Sequence, residues 1–208
     1  MHILLTDVLV CPRCGPAFGL ILLADRIEER RVLEGRLGCP NCREQYPITG
    51  GTVDLSAGAL MPSHEKANGA AADDGVRIAA LLGVTQGPAY VLLIGDAARH
   101  AAGVRNALAD VEVIALSPAA ISDGDSNGDS HGLSRVIAAR VPVTTGKMSG
   151  VALIGARSGE LLEEAARAVR PTGRLLVDPA PADAATRLAP LGLRILAQEG
   201  PVLLAIRG

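Results

Sequence analysis

Two kinds of patterning divide the chain. Up to residue 55 the apolar runs are short and punctuated by Gly, Pro and Cys; from residue 76 onward longer apolar runs recur at regular intervals. In the first stretch, residues 3–10 predict a short helix or turn that packs Leu4, Leu5, Val8 and Leu9 beneath the segment that follows. Residues 19–24 read as a strand, 25–31 as charged and exposed, and 32–37 as a returning strand. Tyr46-Pro47-Ile48, a Gly50-Gly51 turn and residues 52–55 complete the stretch. Residues 57–75 (AGALMPSHEKANGAAADDG) are small and polar with no apolar period, and read as a linker.

In the second stretch, residues 76–82 predict a short helix stopped by Gly83. Residues 90–94 (YVLLI) are almost wholly apolar, as a parallel strand buried on both faces must be. A helix over 97–109 and strands over 111–116, 135–139 and 150–155 follow. Residues 158–170 predict the best-marked helix, with Glu160 in its first turn, Leu161, Leu162, Ala165 and Val169 on one face, and Pro171 and Gly173 to end it. A strand over 174–177, a helix over 182–188 and a hairpin of 193–197 with 202–206 close the chain. Strands alternating with helices predict an α/β fold with a mostly parallel, doubly wound, seven-stranded sheet that has an antiparallel end. The expected organisation is a small module over 1–56, a linker over 57–75 and a larger domain over 76–208.

Composition narrows the function. The chain is 49% hydrophobic but only 1% aromatic, with no Trp, so its core must be aliphatic. Net charge is −2, and the only lysines are Lys66 and Lys147. Without a basic field or stacking aromatics, direct nucleic-acid binding is not expected. No apolar run reaches the length of a membrane span, and the apolar N-terminus lacks a basic start and runs into the first cysteine pair. The expectation is a soluble cytoplasmic protein.

All four cysteines fall in two matching knuckles, Cys11-Pro12-Arg13-Cys14 and Cys39-Pro40-Asn41-Cys42, separated by residues 15–38. Two thiolates two residues apart on a tight turn can reach one ion, and duplicated pairs supply the four soft ligands of tetrahedral zinc. Cys11, Cys14, Cys39 and Cys42 are therefore the candidate metal ligands. The competing readings are two disulfides or four buried free thiols; nothing in the sequence points to an oxidising compartment. Four protein ligands leave no open position, so the zinc is expected to be structural rather than catalytic.

The pattern L-L-x-x-L-V-C-P-x-C, a hairpin, then C-P-x-C-x-x-x-Y-P-I-x-x-G-x-x-x-L over residues 3–55 resembles the zinc-ribbon activator family. Its best-known members are small subunits that bind and stabilise methyltransferases acting on tRNA, rRNA and a translation release factor. Residues 76–208 resemble class I S-adenosylmethionine-dependent methyltransferases. The run 168–177 (AVRPTGRLLV) is similar to that family's passage into strand five, and residues 111–119 to its strand two. The resemblance implies a glycine-rich turn after the first strand, for close backbone approach to the cofactor, and an acid ending the second strand to hold the ribose.

In this chain the turn is Gly95-Asp96-Ala97-Ala98-Arg99-His100, and aligning Ser117-Pro118 with the family places Ala115 where the acid belongs. S-adenosylmethionine is therefore not expected as a cofactor, with Asp96 the one residue able to substitute as a ribose ligand. No catalytic residue and no cofactor-binding residue is assigned. His100 is a lone candidate without a paired acid, and His64 reads as solvated. Asp178-Pro179 is similar to an amino-methyltransferase signature but follows the wrong strand, while Gly155-Ala156-Arg157-Ser158 after strand four offers no general base. Residues 123–128 (DGDSNG) match half of a calcium loop, but position twelve is Ser134; residues 122–132, with His131, read as a mobile acidic loop. The sequence points to a non-catalytic zinc-binding scaffold or regulatory protein with a protein partner, a methyltransferase or a translation factor. The alternative is an active methyltransferase with a divergent cofactor site.

Overall fold

The computed structural model describes residues 1–56, 65–66, 72–118, 121–122 and 132–208. Most of the expected linker, with His64, and most of the acidic loop, with His131, lie outside the described residues. A 3-10 helix over Ile3–Asp7 opens the chain, followed by strands β1 (Ile21–Glu28), β2 (Arg31–Gly38), β3 (Gln45–Thr49), β4 (Thr52–Asp54) and β5 (Glu65–Lys66). Then come α1 (Ala72–Leu82), β6 (Gln86–Gly95), a 3-10 helix over Asp96–His100, α2 (Ala101–Ala107), β7 (Ala109–Ser117) and β8 (Ile121–Ser122). β9 (Leu133–Ile137), β10 (Met148–Ile154), α3 (Leu162–Ala168), β11 (Val169–Asp178), α4 (Ala184–Leu188), β12 (Leu193–Glu199) and β13 (Val202–Arg207) complete it. No helix among the described residues is long and apolar enough to cross a membrane.

The seven expected strands of the larger part are present, in the order β9-β7-β6-β10-β11-β13-β12. Counted from β6, this is the 3-2-1-4-5 order of a doubly wound sheet, continued by the antiparallel β13 and β12. Successive residues of a strand face opposite ways, so each apolar strand feeds two cores. Leu92, Ile94, Ile114, Leu116, Leu153 and Val177 join the core that includes α3 and α4 residues. Val91, Leu93, Val113, Ala115, Ala152 and Leu176 join the one that includes α1 and α2 residues.

The sheet does not stop at seven strands. The hairpins of the N-terminal module continue it as β1-β2-β3-β4, and β4 lies parallel to β9 with Thr52, Val53 and Asp54 opposite Arg135, Val136 and Ile137. The result is one eleven-stranded sheet. β5 and β8 form a separate two-residue ladder.

The module also covers a face. Parallel strands are usually joined through a helix, but β9 and β10 are joined by residues 138–147 with none. The N-terminal segment lies there instead. Val10 N–H donates to Pro142 O at 2.9 Å, Thr144 N–H donates to Val8 O at 2.8 Å, and Leu9 bridges Val143. Met1, Leu5, Val8 and Leu9 thereby share a core with Val141, Val143 and Met148.

Several local expectations change. The helix expected over 97–109 is a 3-10 turn over Asp96–His100 followed by α2, and α1 begins at Ala72, inside the expected linker. Leu4 is exposed, because a 3-10 turn points it away while Leu5, Val8 and Leu9 turn inward. Residues 25–30 are exposed as expected, but β1 runs on to Glu28 and Arg31 is buried. The helix expected over 158–170 shrinks to Leu162–Ala168. Residues 157–161 form turns around Gly159, and the carbonyls of Arg167 and Ala168 are taken by the N–H groups of Gly146 and Lys147, so the chain leaves the helix at Val169.

Candidate functional site

Each cysteine pair sits on a tight backbone turn. Gly15 N–H donates to Cys11 O, and Arg43 N–H to Cys39 O, both at 2.9 Å. The first turn precedes β1, the second joins β2 to β3, and the four Sγ atoms lie within 4.8 Å of one another. Cys11 and Cys42 are 3.7 Å apart, Cys39 and Cys14 3.8 Å. These separations exclude disulfides, which bring sulfurs to about 2.05 Å. They fit a tetrahedral ion instead: zinc–thiolate bonds of about 2.3 Å give sulfur–sulfur edges of about 3.8 Å. The cysteines are thus positioned to hold a metal ion.

The surroundings supply hydrogen bonds to the sulfurs. Cys14 N–H donates to Cys11 Sγ at 3.4 Å and Asn41 Nδ2 to Cys14 Sγ at 3.3 Å. The Tyr46 hydroxyl lies 3.4 Å from Cys11 Sγ. Burial and then the adjoining Cys11 raise the Tyr46 phenol. At Cys11 burial works against the thiolate, but the Tyr46 hydroxyl and the N–H groups of Cys14 and Arg13 outweigh it and bring the thiol down to about 7. At Cys42 the Glu44 N–H favours the thiolate, but burial and the three neighbouring sulfurs prevail and push it up to about 12. Three more sulfurs around one thiol make a proton hard to remove until a cation replaces it.

The seam between module and domain is the second constructed feature. Arg31 on β2 reaches across to β7 and β9. Its Nη1 donates to Glu112 Oε1 at 2.8 Å and to Ser134 Oγ at 3.4 Å, and its Nη2 donates to Leu133 O. Ser134 Oγ also donates to Glu112 and accepts from His2 N–H at 2.9 Å. Side-chain exposure is 6% for Arg31 and 11% for Glu112, so this is a buried ion pair. Arg31 and Glu112 were invisible as a pair in the sequence, which holds them 81 residues apart.

The third feature is a cavity of about 270 Å³ at the carboxyl ends of β6, β7 and β10. It lies where the strand order reverses, the usual ligand crevice of an open α/β sheet. Ile94, Leu116, Leu153 and Leu161 supply aliphatic walls. Gly95 turns with φ +69°, and a Cβ there would lie 2.5 Å from Ile154 O, so the turn into the cavity requires glycine. Arg99 and Asp96 line it, with their charged groups 3.6 Å apart.

His100 is not among the lining residues; its Nδ1 is buried without a hydrogen-bond partner among the described residues. Ala115 faces the opposite core, and the residues of β7 and its exit that reach the cavity are Leu116, Ser117 and Pro118. Asp178 does not line it. Arg140 and Arg157, to which sequence reasoning gave no part in the cleft, do line it. Their signal was positional: each lies just past the carboxyl end of a strand, as Arg99 does.

Residues 2–51 match the model of the Trm112p-like protein family. The Trm112p-like segment covers both cysteine knuckles and β1 to β3, and ends at the turn into β4. No curated protein matches the chain. Among solved structures, the [4+2]-cyclase SpnF is similar with a TM-score of 0.52 at 14% identity, over 66% of this chain and 81% of that one. A complex of the Haloferax volcanii Trm112 methyltransferase activator with a putative methyltransferase is similar with a TM-score of 0.51 at 13% identity, over 63% and 86%. At such identities the likeness is one of fold. The chain joins a Trm112p-like ribbon to a domain of methyltransferase fold.

Proposed function

We propose that the chain is a non-catalytic, zinc-holding scaffold in which a Trm112p-like ribbon supports its own methyltransferase-like domain. The observation that carries this reading is the seam: β4, the last strand of the ribbon, is already paired with β9 of the same chain. An activator and its client thus meet within one polypeptide. The donor set and sulfur spacing support zinc as the metal, and reduced thiols in that role suit a cytoplasmic setting. A protein partner, a methyltransferase or a translation factor, belongs to the proposal. It would dock elsewhere than β4; the ribbon's open edge is β1, which carries exposed Ile21, Leu23 and Ile27.

Loss of catalysis is supported by the cavity lining, in which Asp96 is the only carboxylate among the described residues. Titration calorimetry of the zinc-loaded chain with S-adenosylmethionine is expected to show no binding at micromolar concentration. Micromolar binding would sink the scaffold reading.

A second reading, an active methyltransferase with a divergent cofactor site, is favoured by the Gly95 turn and by the position of Asp96 within the cavity. It entails that saturating S-adenosylmethionine raises the melting temperature. At a hundredfold over Kd the gain is about 2.7 kcal/mol, or roughly 5–10 °C for a chain of this size. An unchanged melting temperature counts against it.

A further inference from the structure

The cavity is built for the opposite charge to that of a sulfonium cofactor. Among the described residues its lining carries three guanidinium groups, Arg99, Arg140 and Arg157, against the one carboxylate of Asp96. They come from three different segments, the 3-10 helix after β6 and the connections after β9 and β10, and line one cavity. Glu164 and Glu160, which pair with Arg140 and Arg157, lie outside the lining.

Those carboxylates orient the guanidiniums rather than consume them. Glu164 takes Nε and Nη2 of Arg140 at 2.9 and 2.6 Å, and Glu160 takes Nε and Nη2 of Arg157 at 2.9 and 2.7 Å. The Nη1 end of each carries no hydrogen bond to a described residue. A guanidinium has five donors in a fixed fork, so an arginine anchored by one edge still offers the other. Each pair has one well-exposed partner, Arg140 at 69% against Glu164 at 22% and Glu160 at 63% against Arg157 at 39%, so solvent screens both pairs in part. Below the rim, Ile94, Leu116 and Leu153 form an aliphatic floor that suits a flat, weakly polar body.

We propose that this cavity binds a nucleoside phosphate, with the base against the aliphatic floor and the phosphate at the rim held by Arg140, Arg157 and Arg99. Arg–phosphate hydrogen bonds are charge-assisted and directional, and the lining guanidiniums outnumber the carboxylate of Asp96, which lies 3.6 Å from Arg99. The assignment goes beyond the scaffold reading and does not depend on the ribbon's role.

The test is calorimetry on the full zinc-loaded chain with adenosine 5′-monophosphate, adenosine, inorganic phosphate and S-adenosylmethionine. The monophosphate is expected to bind about ten- to hundredfold more tightly than adenosine or phosphate alone, and more tightly than S-adenosylmethionine. Added salt should erode that advantage. The double variant Arg140→Gln/Arg157→Gln should reduce the monophosphate to the level of adenosine with little change in melting temperature, and Arg140→Gln alone should give part of the loss. Arg194→Gln, on the distant edge strand β12, should leave binding unchanged. Equal affinity for monophosphate and adenosine, tighter binding of S-adenosylmethionine, no detectable monophosphate binding, or full binding by the double variant each overturn the proposal.

Discussion

Removing the metal, by chelation or by Cys39→Ser, is expected to unfold residues 1–55 and open the seam with β9. Short hairpins bury too little surface to stand alone, and a structural zinc contributes about 10–16 kcal/mol of apparent binding free energy in small zinc-bound domains. A whole domain is stable by only about 5–15 kcal/mol. The ribbon cannot replace such a term from Leu5, Leu37, Tyr46 and Ile48 alone. The damage should also spread. With β4 gone, β9 becomes an open sheet edge, and the face around Val141, Val143 and Met148 loses the cover of Leu5, Val8 and Leu9. Metal content, thermal melting and hydrogen exchange at β9 measure the three consequences. A Cys39→Ser chain that retains its metal and melts like the parent would refute the site.

Breaking the buried pair at the seam should be the next most damaging change. Arg31→Met leaves Glu112 buried without its cation, and Glu112→Leu leaves Arg31 without its anion. Removing one partner of a buried pair costs about 3–5 kcal/mol, which for a chain of this size lowers the melting temperature by roughly 6–20 °C. The double variant Arg31→Met/Glu112→Leu, apolar on both sides, should recover most of that loss, because the cost lies in the stranded charge rather than in the missing bond. A double-mutant cycle in thermal melting reads both effects. A single variant within about 2 °C of the parent would show that other contacts hold the seam.

What could be read from the sequence followed from the range of the interactions involved. The metal ligands were legible because C-P-x-C is a local pattern whose chemistry depends on a two-residue spacing. The central strands were legible because residues 91–94 can be continuously apolar only when both faces of the strand are covered. The seam was not legible. Thr52, Val53 and Asp54 carry no mark that they will pair with residues 135–137, and a parallel pairing of strands so distant leaves no turn signal. Arg31 read as a surface residue because its burial depends on Glu112 and Ser134 from two other strands. The register of β7 shows a finer limit. A motif alignment put Ala115 in the cofactor position, while the pleat turns Ala115 to the far core and presents Leu116 to the cavity.

The strand β9 carries a consequence for how the two ends of the molecule communicate. Its carboxyl-terminal residue Ile137 lies opposite Asp54, and Leu55 N–H donates to Ile137 O at 2.8 Å. The next residues, Ala138 and Arg140, are part of the cavity wall. One continuous ladder thus leads from the cysteine knuckles through β3 and β4 to an arginine at the cavity mouth. If emptying the metal site releases β9, it also frees Arg140, and a ligand that holds Arg140 must in turn tighten the metal. Coupling of that kind is reciprocal by thermodynamic necessity, so ligand affinity measured with and without metal, and metal affinity measured with and without ligand, should change by the same factor.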